Sequence, residues 1–311
     1  MLPLSTSSGC GGTPKVVASL FGSSGIRRIA DRQFLSLAFD TGLAVGAVYR
    51  SVVVGQDTRT SSGAVGHALI SGLLAAGCRA YDAGVLPTPT LAYASRRFDA
   101  GVMVTASHNP PHYNGLKLWN RDGSAFDTAQ RQEVEEGIAS PPPVPWEHME
   151  SSRPYPGALE AHLDRILRDF GRAPFKVVVD GGGGAASLAT PQLLKELGGE
   201  VITLNCQPTG IFPRGSEPLP ENLNELMALV SSTGAHLGIA HDGDGDRTVA
   251  VDDKGRFIPG DKLLILLARG LGVSRLVTTV DATMALEEMG LEVVRTKVGD
   301  AYVSETLKKE G

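Results

Sequence analysis

Short apolar runs recur along this chain, and most end on glycine or a cluster of small polar residues. Residues 51–55, 79–83, 100–104, 116–119, 176–179, 200–204, 236–240, 248–251, 275–280 and 292–295 read as strands. Residues 16–21 form a further short candidate, before the loop Gly22-Ser23-Ser24-Gly25-Ile26-Arg27-Arg28. The segments between many of the strands carry helical spacing. In 61–76, Val65, Leu69 and Leu73 share one face. Pro87-Thr88-Pro89 opens the next helix, where the missing proline N–H costs nothing. Further helices are expected over 128–138, 158–170, 186–197, 222–232, 261–271, 282–289 and 301–309. Strands alternating with helices imply βαβ units and an α/β fold of successive mixed, mostly parallel sheet domains.

The punctuation of the pattern divides the chain. Ala139-Ser140-Pro141-Pro142-Pro143-Val144-Pro145 reads as a connector. Residues 1–15 are Ser/Gly-rich, lack a basic start and an apolar core, and read as a disordered tail rather than a signal peptide. The expected units are 16–150, 151–257 and 258–311. The last holds two candidate strands, too few for a comfortable sheet of its own, and reads as an incomplete domain.

Composition narrows the function. A length of 311 residues suits two to three domains, and 42% hydrophobic with 20% charged residues is ordinary for a globular protein. A net charge of −5 without a basic tract argues against a nucleic-acid surface. No apolar run approaches a membrane span. Cys10, Cys78 and Cys206 are odd in number and far apart, which suggests no metal or redox pair and fits the reducing cytoplasm.

Two loops carry the sharpest chemistry. In Asp242-Gly243-Asp244-Gly245-Asp246-Arg247, three carboxylates alternate with glycine and can turn inward onto one hard divalent cation. Three carboxylates leave room for water and a phosphate oxygen, which suits Mg²⁺ better than a Ca²⁺ cage. A solvated acidic turn is the plainer alternative. An EF-hand fits poorly: its sixth position is Arg247 instead of Gly, its twelfth is Asp253 instead of Glu, and the flanks read as strands. Arg247 could meet a phosphate with its planar fork, or pair with a neighbouring Asp.

The second loop is Thr105-Ala106-Ser107-His108-Asn109-Pro110, after the apolar strand 100–104. It would present the Ser107 hydroxyl at the carboxyl end of a sheet, where open α/β folds place ligands. On an extended strand, His108 would point away from Ser107 and make a poor base for it. A structural Ser/Asn turn is the alternative. Lys117 is an acid/base or phosphate-contact candidate, or else a solvated strand lysine. Gly22-Ser23-Ser24-Gly25 with Arg27 could cradle phosphate, although Gly/Ser loops are common. Asp180 with four following glycines fails the Gly-x-Gly-x-x-Gly dinucleotide pattern at Ala186.

Taken in order, four segments resemble the α-D-phosphohexomutase family. They are Phe21-Gly22-Ser23-Ser24-Gly25-Ile26-Arg27; Thr105 to Pro110 with Asn114-Gly115-Leu116-Lys117; Asp242 to Arg247; and Thr296-Lys297-Val298-Gly299-Asp300. Gly210-Ile211-Phe212-Pro213 with Glu217-Pro218 is similar to the family's second-domain loop, although Pro213-Arg214-Gly215-Ser216 has a variant order. The resemblance implies a phosphohexomutase-type fold and a phosphoserine at Ser107. It implies Mg²⁺ on Asp242, Asp244, Asp246 and a phosphoserine oxygen. Phosphate would move between C1 and C6 of a hexose phosphate through a hexose 1,6-bisphosphate, which also serves as activator. Arg27, Lys117 and Arg247 match charged active-site positions. His108 matches an acid/base or positioning histidine, and Gly299 and Asp300 match substrate contacts. The sugar is left open among mannose, glucose and glucosamine phosphates. No nucleic-acid or membrane partner is implied. The family's sugar-reading loop and fourth domain lie beyond where Gly311 falls. The expectation is a truncated product or a second chain that completes it, with apolar surface exposed on the third unit. A non-catalytic remnant that binds sugar phosphate or metal is the rival reading.

Overall fold

The computed structural model describes residues 19–310. The expected tail, 1–15, and the first part of the strand expected at 16–21 lie outside them. Ser19 to Phe21 is not a strand; the first strand is β1 (Ile26–Ile29), which takes in Ile26 to Arg28 of the segment expected to be a loop. It pairs antiparallel with β5 (Tyr113–Asn120), Arg27 opposite Gly115. Ahead of β5 come β2 (Ser51–Gln56), β3 (Arg79–Val85) and β4 (Ala100–Val104), and β6 (Arg153–Pro154) adds a short edge. The sheet order is β1-β5-β4-β2-β3-β6. Strands β4, β2, β3 and β6 run parallel, while β1 and β5 run antiparallel to their neighbours.

Central β2 is buried on both faces. Val52 and Val54 join a cluster with Phe34, Leu69 and Leu73, whereas Val53 joins Leu86, Leu91 and Met103 on the other side. A parallel strand covered by helices on both faces has this apolar run without alternation. The covering helices are α1 (Arg32–Val48), α2 (Ser62–Ala75), α3 (Thr88–Ala94) and α4 (Thr128–Ala139). The sequence reading placed no helix between Arg28 and Ser51, yet α1 has 17 residues. Its buried face is largely small, with Ala38, Thr41, Gly42, Ala44 and Gly46, so large apolar residues do not mark the period. Asp31 caps it by accepting from the Phe34 amide at 2.9 Å.

The second unit comprises α5 (Ala158–Asp169), β7 (Lys176–Asp180), α6 (Thr190–Glu196), β8 (Glu200–Leu204), α7 (Asn224–Thr233), β9 (Leu237–His241), β10 (Thr248–Asp252) and β11 (Phe257–Ile258). Its sheet order is β11-β10-β9-β7-β8, with β10 antiparallel to both neighbours. The helix expected over 186–197 begins only at Thr190, after a turn of 3-10 helix at Ala185–Leu188. The third unit holds α8 (Gly260–Gly270), β12 (Arg275–Thr279), α9 (Ala285–Glu288), β13 (Glu292–Thr296) and α10 (Asp300–Glu310). Its two strands pair in parallel. The helix expected over 282–289 shrinks to α9, a single turn.

The loops leaving the carboxyl ends of β2, β4 and β9 converge at the border of the first two units. Thr88, at the start of α3, donates its amide to the Asp244 carbonyl at 2.9 Å. Thr58 Oγ1 donates to the Gly183 carbonyl at 2.8 Å.

Candidate active site

Ser107 follows β4 and is buried. It is not extended: its φ is +52°, in the left-handed region that non-glycine residues seldom enter. Thr105 Oγ1 accepts from the Ser107 amide at 2.8 Å. The turn corrects the expectation for His108, because its Nδ1 lies 3.3 Å from Ser107 Oγ rather than across the strand. Ser107 Oγ donates to Asp242 Oδ2 at 2.7 Å.

Sequence reasoning missed the residue that holds this turn. Arg59 Nη2 donates to the Ser107 and Asn109 carbonyls, both at 2.7 Å, and Nη1 donates to those of Pro110 and Tyr113 at 2.7 and 3.1 Å. Its Nε donates to Asp57 Oδ2 at 3.0 Å, and Thr105 Oγ1 donates to the same oxygen at 2.7 Å. Both side chains are fully buried. The available signal was Asp57-Thr58-Arg59 directly after strand β2, at the sheet end where ligands gather.

The three aspartates follow β9. One oxygen from each lies within 4.8 Å of the others. Lys117, on β5, donates Nζ to Asp244 Oδ2 at 2.7 Å and to Asp246 Oδ2 at 2.6 Å. It is buried, so the solvated-lysine alternative is excluded. Thr88 Oγ1 donates to Asp244 Oδ2 at 2.6 Å, while buried Asp244 Oδ1 has no partner. The Arg247 amide donates to Asp242 Oδ1 at 3.1 Å.

Charge is crowded here. Burial, then the neighbouring Asp244 and Asp246, push the Asp242 carboxyl well above the usual range. Burial also acts to raise Asp244, but attraction to Lys117 and the bonds from Lys117 and Thr88 outweigh it and bring its pKa down to about 2. Burial works against the Lys117 ammonium, yet the two carboxylates hold it above the ordinary lysine value. Burial, followed by Arg247 and Arg27, lowers His108.

The remaining candidates line one cleft of about 580 Å³ with Ser107 and Lys117: Ser23, Ser24, Arg27, Arg247, Gly299 and Asp300. Arg27 Nη1 donates to Asn109 Oδ1 at 2.9 Å from strand β1, not from a Gly/Ser cradle. Arg247 Nη1 pairs with Glu217 at 2.8 Å, not with an adjacent Asp. Asp180, at the head of the glycine run, is taken up by Arg214 at 2.8 Å. An all-oxygen donor set with one unpartnered buried carboxylate oxygen has the chemistry of a hard-cation site.

Three family models match the chain. Their descriptions are phosphoglucomutase/phosphomannomutase, alpha/beta/alpha domain I over residues 18–142, domain II over 158–255 and domain III over 259–311. The chain belongs to this family. A probable phosphoglucosamine mutase of Methanocella arvoryzae is 47% identical over 296 residues, covering 94% of this chain and 68% of the relative. The one from Methanosarcina barkeri is 48% identical over 303 residues, covering 94% and 69%. Among solved structures, a phosphoglucomutase/phosphomannomutase family protein from Burkholderia thailandensis superposes with a TM-score of 0.82 at 31% identity, over 94% of this chain and 69% of that one. Parafusin from Paramecium, at 18% identity and a TM-score of 0.71 over 89% and 62%, shares the fold. Family membership makes the chain a phosphohexomutase-class enzyme with the α/β fold read from its sequence. No helix among the described residues is long and apolar enough to cross a membrane.

Proposed function

We propose that this chain moves a phosphoryl group between Ser107 and the C1 or C6 hydroxyl of a hexose phosphate, through a hexose 1,6-bisphosphate. The observation that carries the reading is the 2.7 Å contact from Ser107 Oγ to Asp242, inside a cluster of three aspartates and Lys117. Asp242 orients the hydroxyl. As the Oγ–P bond forms and the sugar O–P bond breaks, the hydroxyl proton turns from Asp242 to His108 Nδ1, held in the neutral form by burial and nearby arginines, and His108 passes it to the departing sugar oxygen. Arg27, Arg247 and Lys117 supply cations against the charge of the transferring group. Gly299 and Asp300, across the cleft, are the proposed sugar-phosphate contacts.

Asp242, Asp244, Asp246 and a phosphoserine oxygen would hold Mg²⁺. The unpartnered Asp244 Oδ1 supports that assignment. Bound there, the ion would neutralise phosphoryl charge. The two relatives named probable phosphoglucosamine mutase favour a glucosamine phosphate over mannose or glucose phosphates.

The test is peptide mass spectrometry of Ser107 after incubation with Mg²⁺ and glucosamine or glucose 1,6-bisphosphate. Phosphate on Ser107, absent in Asp242→Asn and faster from the glucosamine donor, is the expected result. A folded chain that never acquires phosphate would sink the transfer reading in favour of a binding remnant.

A further inference from the structure

Residues 210–217 are part of the connection from β8 to α7, and they touch both the Ser107 turn and the aspartate loop. Ser216 Oγ lies 2.5 Å from the His108 carbonyl and 2.9 Å from that of Asn109, and donates to this pair just after the nucleophile. Arg214 Nη2 donates to the His241 carbonyl at 2.6 Å, one residue before Asp242, while its Nε is anchored on Asp180. Phe212 stands between them. Its ring faces the Arg59 guanidinium at 5.1 Å, and a Cβ on Gly243 would meet it at 3.3 Å. Gly210 seats the loop against the first unit, where a Cβ would lie 2.0 Å from the Thr58 carbonyl. Ser216 and Phe212 are buried, and the Arg214 side chain is only 7% exposed.

We propose that this loop is the brace that sets the separation of the Ser107 turn from the aspartate loop, and that Ser216 and Arg214 are its positioning residues. The two loops come from different sheets, so neither sheet fixes their spacing. The brace carries one buried donor for the backbone of each. Transfer in line between Ser107 and a bound sugar phosphate tolerates little error, since a displacement of about 1 Å can cost roughly 100-fold. Neither side chain lines the cleft with the reacting groups, so their effect runs through the carbonyls they hold. The inference rests on the phosphoryl-transfer reading above, but it also predicts a property of the loop itself.

The experiment compares the full wild-type chain with Ser216→Ala and Ser216→Thr. Hydrogen exchange is read over residues 104–112, and Ser107 phosphorylation from a hexose 1,6-bisphosphate with Mg²⁺ is read across donor concentrations. In Ser216→Ala, exchange over 104–112 should rise, and the maximal phosphorylation rate should fall roughly tenfold. The half-saturating donor concentration should stay put, because no cleft group is altered. Ser216→Thr, which keeps the hydroxyl, should restore both readouts. If Ser216→Ala fails to fold, Arg214→Lys serves in its place: a single ammonium cannot reproduce the fork on Asp180 and His241, so exchange over residues 240–247, the loop Arg214 holds, should rise with the same fall in rate, and unchanged exchange there overturns the proposal. Unchanged exchange over 104–112, or a rate loss that Thr does not rescue, overturns the proposal. If wild type takes no phosphate at all, the transfer reading fails, while the exchange result still decides whether Ser216 holds the loop.

Discussion

Gly243 lies where the Ser107 turn and the aspartate loop touch, and a side chain there would strike backbone. A Cβ at this position would sit 2.7 Å from the Ser107 carbonyl oxygen. Gly243→Ala should therefore push the aspartates away from Ser107 and slow phosphorylation by roughly 100-fold, with the melting temperature as the control for gross unfolding. Lys117 tests charge in place of shape. Lys117→Met removes the cation from buried Asp244 and from the partly exposed Asp246, and breaking a buried pair such as the first typically costs about 3–5 kcal/mol. A large fall in thermal midpoint is expected, with part of it recovered by millimolar Mg²⁺; a variant as stable as wild type without metal would contradict the pairing. Cys78 offers a pH test away from the site. Burial raises its thiol from 9.0 to about 12. Above pH 9 the unfolded chain releases this proton and the folded chain keeps it, so stability falls as pH rises toward 12, by up to about 1.4 kcal/mol per unit from this group. Urea unfolding of Cys78→Ala between pH 8.5 and 10 should show a shallower fall than wild type.

At the scale of elements, the α1–α2 crossing depends on two glycines. A Cβ on Gly42 would lie 2.2 Å from the Leu69 carbonyl, and one on Gly72 would lie 2.0 Å from that of Phe39. The helices pack backbone to backbone, and Gly72→Ala should force them apart at a cost of about 1–3 kcal/mol, measurable by denaturant unfolding. This crossing also explains why α1 was hard to read. Helix signals in sequence come from large apolar residues at regular spacing, and a close crossing selects small ones instead. Strand β1 was misread for a related reason. It is an edge strand of four residues, IRRI, with its two arginines at the centre, so it shows little apolar content. Strands β4 and β8 carry uninterrupted or β-branched apolar sequence, and the reading located both to the residue.

For the whole molecule, the third unit is tied to the first by polar contacts at the surface. Glu305 of α10 accepts from the Thr128 amide at 2.8 Å at the start of α4, and Lys308 pairs with Asp122 at 3.0 Å. Several large apolar side chains of this unit face solvent. Leu266, Leu267, Leu271 and Met284 are 54%, 54%, 68% and 73% exposed. Large apolar side chains exposed in this way promote association. Leu266→Lys with Leu267→Lys should reduce concentration-dependent self-association in sedimentation without changing Ser107 phosphorylation.

Much of this protein is determined by local sequence. Alternating strand and helix patterns follow from which residues prefer water, and three carboxylates spaced by glycine mark a loop with the donor set to hold a cation. Ser107 and Lys117 were legible as candidates on the same grounds. What the chain does with them was decided in three dimensions. Ser107 turns into the left-handed region because four carbonyls around it are gathered by Arg59, which is 48 residues away in sequence from Ser107. Lys117 meets Asp244 across 127 positions. Such contacts join buried charges to partners far away in the chain, and no local propensity records them. The loops approach one another only because two sheets pack with their strand ends together, so the site's geometry belongs to the packing and not to any one segment.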